Sequence, residues 1–161
     1  MTAVKRGDWI ELDFPATPDE PVQAPDGLAE SLSVTPRYVG RSRFDYIVEV
    51  DGEDAVRNLR PDFGRMKKLG GRGVIVTSRS SSPDWDFVSR FFAPAAGVDE
   101  DPVTGSAHCC LAPFWSRRLN KTSFLARQIS PRGGELKVDL EGDRVRLGGQ
   151  AVTVLRAELL A

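Results

Sequence analysis

The sequence predicts an α+β domain: a strand-rich sheet, rolled or barrel-like, antiparallel or mixed, around one central helix. Three observations predict it. Short apolar runs of strand length recur along most of the chain. Only Ser106 to Leu119 is long and apolar enough for a substantial helix. The chain ends in three strand-like runs, Glu135 to Leu140, Arg144 to Leu147 and Ala151 to Leu155, joined by Glu141-Gly142-Asp143 and Gly148-Gly149 as in an antiparallel meander.

Each element has its own signal. Asp8 to Phe14 alternates, with Ile10, Leu12 and Phe14 on one face, and reads as a strand. Pro15, Pro18, Pro21 and Pro25 mark a loop, and Leu28 to Leu32 a short helix. Arg43 to Val50 reads as a second strand, closed by an Asp51-Gly52 turn. Ala55 to Leu59 and Asp62 to Leu69 read as short helices, with Pro61 favoured at the start of the second. Gly73 to Thr77 is β-branched and apolar throughout, the mark of a strand buried on both faces. Ser78 to Pro83 is a polar loop, and Asp86 to Phe92 a strand. Pro113 predicts a kink or an early end in the long helix. Phe124 to Ile129 is a strand and Arg132-Gly133-Gly134 a turn.

Composition bounds the rest. The 161 residues, 40% hydrophobic and 28% charged, suit one soluble domain over 1–161. A net charge of −1 recommends neither nucleic acid nor an anionic membrane as partner. The basic run Arg117-Arg118-Leu119-Asn120-Lys121 lies where cations complement a helix C-terminus. Cys109 and Cys110 are adjacent, a poor geometry for a disulfide, and one histidine cannot complete a zinc site with them. Two reduced thiols, with neither an apolar leader nor a spanning segment in view, point to a cytoplasmic protein.

The stretch Asp99 to Cys110 carries the chemistry. Three carboxylates and Pro102 lead into Thr104-Gly105-Ser106 and the long helix. Pro102 extends the chain at Asp101, Gly105 permits close approach of a ligand, and Thr104 or Ser106 can cap the helix. The amides around Gly105, Ser106 and Ala107 then form an anion cradle for a carboxylate, with Glu100 or Asp101 beside it to move a proton. The same residues also fit a plain capped helix behind a solvated acidic loop. His108 fits a packed or capping group as well as a base, and both cysteines fit small buried residues.

Glu100-Asp101-Pro102-Val103-Thr104-Gly105-Ser106-Ala107-His108 resembles the signature of the phenazine-biosynthesis PhzF-like family, within the diaminopimelate epimerase-like superfamily. Ser89 to Pro94, Gln128 to Leu136 and Asp8 to Pro15 resemble its flanking segments in the same order. The resemblance implies half of a two-halved fold, each half a barrel-like sheet around a central helix with the active site between them. It implies an isomerase that shifts a proton on a small carboxylate-bearing substrate without metal or organic cofactor. Asp101 and Ser106 match catalytic positions; Glu100, Thr104, Gly105, Ser106, Ala107 and His108 match the substrate-binding wall. The family's acid/base glutamate, its site histidine and its Gly-Asn-Pro element belong to the N-terminal half, which this chain does not match. The expectation is therefore one wall of a cleft, completed by a homodimer or by a complementing N-terminal-half chain. The alternatives are a non-catalytic carboxylate-binding or interaction domain and an inactive fragment.

Overall fold

The computed structural model describes residues 2–158. It is a mixed α+β fold with one large sheet and few helices. The strands are β1 (Thr2–Arg6), β2 (Trp9–Pro15), β3 (Glu20–Pro21), β4 (Tyr38–Arg41), β5 (Asp45–Glu49), β6 (Gly73–Arg79), β7 (Phe87–Ala93), β8 (Val98–Asp101), β9 (Ser123–Gln128), β10 (Gly134–Glu141) and β11 (Arg144–Gly149). The helices are α1 (Leu28–Leu32), α2 (Glu53–Arg57), α3 (Phe63–Met66) and α4 (Gly105–Leu119), with a 3₁₀ turn over Pro94–Ala96. Spatial order is β1-β2-β11-β10-β9-β7-β6-β5-β4-β3, and β8 pairs with β7.

Two parallel pairs organise the sheet, β5 with β6 and β7 with β9; the others are antiparallel. A parallel pair needs a crossover. The first crossover runs through α2 and α3, the second through β8 and α4. Both step the same way across the sheet, but β7 runs antiparallel to β6. The right-handed rule then sends the two crossovers to opposite faces. The core divides accordingly. Val74, Val76, Val88 and Phe92 pack with α1, α2 and α3, whereas Ile75, Phe87 and Phe91 pack with α4. This explains why β6 carries a continuous apolar run and why every residue of β7 is buried.

Helix α4 is buried from Ala107 to Trp115. Phe87 stacks on the Trp115 ring at 5.6 Å, and the Trp115 indole N–H donates to Thr77 Oγ1 at 3.1 Å. Burying each such aromatic contributes roughly 2–3 kcal/mol. Pro113 does not end the helix as expected; six further residues follow it. Proline has no N–H for the Cys109 carbonyl, and the Thr17 N–H donates to that carbonyl instead, at 3.0 Å. Asn120 in the left-handed region closes the helix. The basic run is solvated and paired, Arg118 with Glu49 and Lys121 with Asp86.

The structure corrects four expectations. The sheet does not close into a barrel, because the path ends at β1 and β3. Ala151 to Leu155 forms no strand: β11 already lies between β10 and β2, so the meander has no free edge to extend. Three strands are additional. β1 forms a hairpin with β2, β3 lies in what read as loop, and β4 in a stretch to which no element was assigned. The acidic run Val98–Asp101 is a short strand rather than a free turn. Among the described residues no helix is long and apolar enough to cross a membrane.

Candidate active site at the N-terminus of α4

Distant residues fix the loop that enters α4. Glu100 accepts both Nε and Nη2 of Arg90, at 2.7 and 2.8 Å. Arg90, itself buried, also donates to the Leu59 carbonyl at 3.2 Å. Glu100 is thus committed to a fork-like pair joining β8 to the end of α2. The Glu100 carboxylate, expected with Asp101 beside the helix N-terminus, is therefore occupied by Arg90.

Gln128, fully buried at the end of β9, clamps the next turn. Its Oε1 accepts the Thr104 N–H at 2.8 Å, and its Nε2 donates to the Asp101 carbonyl at 2.6 Å and to Thr104 Oγ1 at 3.1 Å. Ser130 Oγ donates to the Pro102 carbonyl at 2.8 Å and accepts the Gly133 N–H at 3.0 Å. Gly134 is required here: a Cβ on it would overlap Val103 Cγ2. Gln128 to Gly134 therefore forms the mould for Asp101 to Thr104.

Thr104 sits at the N-cap with extended backbone, φ −110° and ψ 101°. Its hydroxyl donates to the Asp101 carboxylate, and its side chain makes no cap bond. No side chain therefore occupies the first-turn amides of α4. Gly105 and Ser106 line a groove of about 520 Å³ whose walls are apolar: Ile10, Leu12, Phe14, Val103, Leu136 and Leu147. Ser106 Oγ accepts from Arg72 Nη2 at 3.0 Å. The Arg72 guanidinium pairs with both carboxylate oxygens of buried Asp45, which raises its pKa further.

One expected substrate contact lies on the wrong side of the backbone. His108 is fully buried, stacked 6.2 Å from the Phe87 ring, so no ligand touches it from the groove. Its Nδ1 meets the Thr104 carbonyl at 2.8 Å, which makes Nδ1 the protonated nitrogen. Burial lowers its pKa to about 4, against the smaller opposing effect of the Thr104 bond. The physical reason is helix phase: position 108 turns inward with 111 and 115. Ala107 is also buried and offers only its backbone N–H. Burial pushes the thiols of Cys109 and Cys110 up to about 11 and about 12, so both remain protonated. Among the described residues no cluster of three or more His, Cys, Asp or Glu side chains has metal-binding geometry.

The structure thus brings Asp101, Thr104, Gly105 and Ser106 together and turns Glu100 and His108 away. It adds Arg72, Asp45, Arg90 and Gln128, which the sequence did not single out as site residues. Gln128 stood inside a segment resembling the family; Arg72 and Asp45 carried no local signal, because 27 residues separate them.

Comparison with known proteins identifies the family and the fold. The family model described as PhzC-PhzF, phenazine biosynthesis-like protein, matches residues 10–157. An uncharacterized isomerase of Halalkalibacterium halodurans is 56% identical over 163 residues, covering 99% of this chain and 61% of the relative. An uncharacterized isomerase of Pseudomonas aeruginosa is 47% identical over 159 residues, covering 99% of this chain and 60% of the relative. The crystal structure of a PhzF-family phenazine biosynthesis protein from Enterococcus faecalis superposes with a TM-score of 0.87 at 38% identity, over 92% of this chain and 56% of that one. The chain spans about three fifths of the length of these curated relatives.

Proposed function

The chain belongs to the PhzC-PhzF family of phenazine biosynthesis-like proteins, and from that membership and the site geometry we propose that it is one wall of a cofactor-independent isomerase site. The reaction class is a proton shift, or tautomerisation, on a small carboxylate-bearing substrate. The observation that carries this reading is the uncapped N-terminus of α4. It opens into an apolar groove beside Ser106, with the Asp101 carboxylate held next to it by Thr104. The names of the relatives as isomerases support it.

In this reading the substrate carboxylate accepts the amides of Gly105, Ser106 and Ala107 and the Ser106 hydroxyl. The apolar walls take the carbon skeleton. Asp101 takes a proton from one carbon and delivers it to another, or holds the substrate for an acid on the facing wall. Helix α4 is the central helix of a half-enzyme, and the open groove is the face that meets its counterpart. That counterpart is a second copy of this chain or a complementing N-terminal-half chain. No nucleic acid, membrane or organic cofactor enters the scheme.

Solvent deuterium incorporation into a cyclohexadiene carboxylate or an amino-acid carboxylate tests the chemistry. Exchange by the wild type that drops at least about a hundredfold in Asp101→Asn is the expected result. No exchange, or equal exchange in the variant, removes the catalytic reading. Binding of the carboxylate without exchange would favour the non-catalytic binding domain. Sedimentation tests the pairing, and a monomer at high concentration without a second chain counts against the homodimer.

A further inference from the structure

Resting on the carboxylate site proposed above, we infer that Arg72, locked by Asp45, sets the polarity of Ser106 and makes this site select an anion over a neutral carbonyl. A guanidinium only donates. Ser106 Oγ must therefore accept the Arg72 Nη2–H, at 3.0 Å, and the hydroxyl keeps its single proton for another partner. A serine in the first turns of a helix commonly returns that proton to a carbonyl three or four residues back. For Ser106 the carbonyls three and four back are those of Val103 and Pro102; its hydroxyl bonds neither, and Pro102 accepts from Ser130 Oγ at 2.8 Å. Ser106 lines the groove, so its hydroxyl proton serves a ligand there.

Arg72 cannot swing away. Asp45 is 2% exposed and engages both Nε and Nη2. The guanidinium lies 5.3 Å from the Phe44 ring and 5.5 Å from the Phe91 ring, and the Arg72 N–H donates to the Phe44 carbonyl at 3.0 Å. Yet 38% of its side chain remains exposed beside Ser106. The half-exposed guanidinium, fixed one hydrogen bond from the substrate-facing hydroxyl, favours a negative charge over an amide oxygen mainly by orienting that hydroxyl as a donor, since Asp45 offsets much of its charge. Arg72 is accordingly a positioning and specificity residue, and Asp45 is its anchor.

The test measures binding of cyclohex-1-ene-1-carboxylate and of its neutral amide to the full chain. Arg72→Met alone strands buried Asp45, so the double variant Asp45→Asn/Arg72→Met is made alongside it, with Arg72→Lys as the conservative change. The wild type should prefer the carboxylate over the amide by at least about tenfold. The double variant should lose that preference while keeping its circular dichroism and its weak amide binding. Arg72→Lys should retain part of the preference. Adding Ser106→Ala to the double variant should cost less than Ser106→Ala alone, because the two residues act as a unit. Unchanged carboxylate preference in a folded double variant overturns the role of Arg72 and leaves the proposed function standing. A wild type that binds neither compound overturns the carboxylate site itself, a different and recognisable pattern.

Discussion

The Asp101–Thr104 loop and the 150–158 tail border the same groove and are held in opposite ways. The loop is short and polar, and one other segment binds it through Gln128, Ser130 and Gly134, while Arg90 fixes Glu100 just before it. The tail is apolar and alternating, begins at the groove with Gln150 and Ala151, and joins no strand. Val152 and Val154 are 85% and 90% exposed. Local pattern would have ordered the tail and freed the loop. What decides the outcome is the supply of partners. An unpaired polar group in a buried loop must find a bond, while an apolar strand pattern needs an open sheet edge and has none beside β11.

The strongest way to break this contrast is Gln128→Leu. It leaves the buried Thr104 N–H and the Asp101 carbonyl without partners and removes the bond that the Thr104 hydroxyl accepts. Each orphaned group costs roughly 1–3 kcal/mol, so a loss of about 4 kcal/mol is expected by urea unfolding. Exchange catalysed through Asp101 should disappear with it, since the loop no longer sets the carboxylate. A loss below about 1 kcal/mol would show that the loop holds its own shape.

Next in size is a pH effect from His108. The native imidazole has its pKa lowered to about 4 by burial, while the unfolded chain takes its proton near the ordinary 6.5. Between these values the unfolded state binds more protons. Its contribution to stability is therefore complete above about pH 6.5 and falls as the pH drops toward 4, by up to about 1.4 kcal/mol per pH unit. His108→Gln should remove that slope in unfolding curves taken across the window. An unaltered slope would place the acid sensitivity elsewhere.

Gly134→Ala sharpens the comparison at a smaller scale. The added methyl would overlap Val103, and the overpacking should cost about 2 kcal/mol and push the loop toward the groove. Wild-type stability and unchanged carboxylate affinity in this variant would mean that the mould is looser than the geometry states.

How much of this was legible in the chain follows the same division. Strands β2, β6, β7 and β9 were readable because burial on one or both faces leaves a period or a run. Strand β1 was not, since all five of its residues are exposed and no face repeats. Strands β3 and β4 sit at the sheet's far edge among prolines and glycine, where a short ladder overrides a loop-like composition. At the site, Asp101, Thr104, Gly105 and Ser106 were readable because one short segment carries them all. The roles of Glu100, Arg72 and Gln128 were not, because each depends on a bond to another segment. The inward turn of His108 agrees with the packed reading that the sequence left open beside the base.

The smallest effect belongs to the tail, and it separates folding from association. Val154→Asp places a charge on a side chain already 90% exposed, so the stability of the domain should change by less than about 0.5 kcal/mol. The same change adds a carboxylate to the chain that leaves the apolar groove. If a second copy or a complementing chain covers the groove together with the tail, burying that charge is costly and the assembly should weaken. Sedimentation of wild type and variant at matched concentrations reads this directly. Equal association in both would detach the tail from the proposed pairing face, while a fall in stability above about 1 kcal/mol would show that the tail packs on the sheet after all.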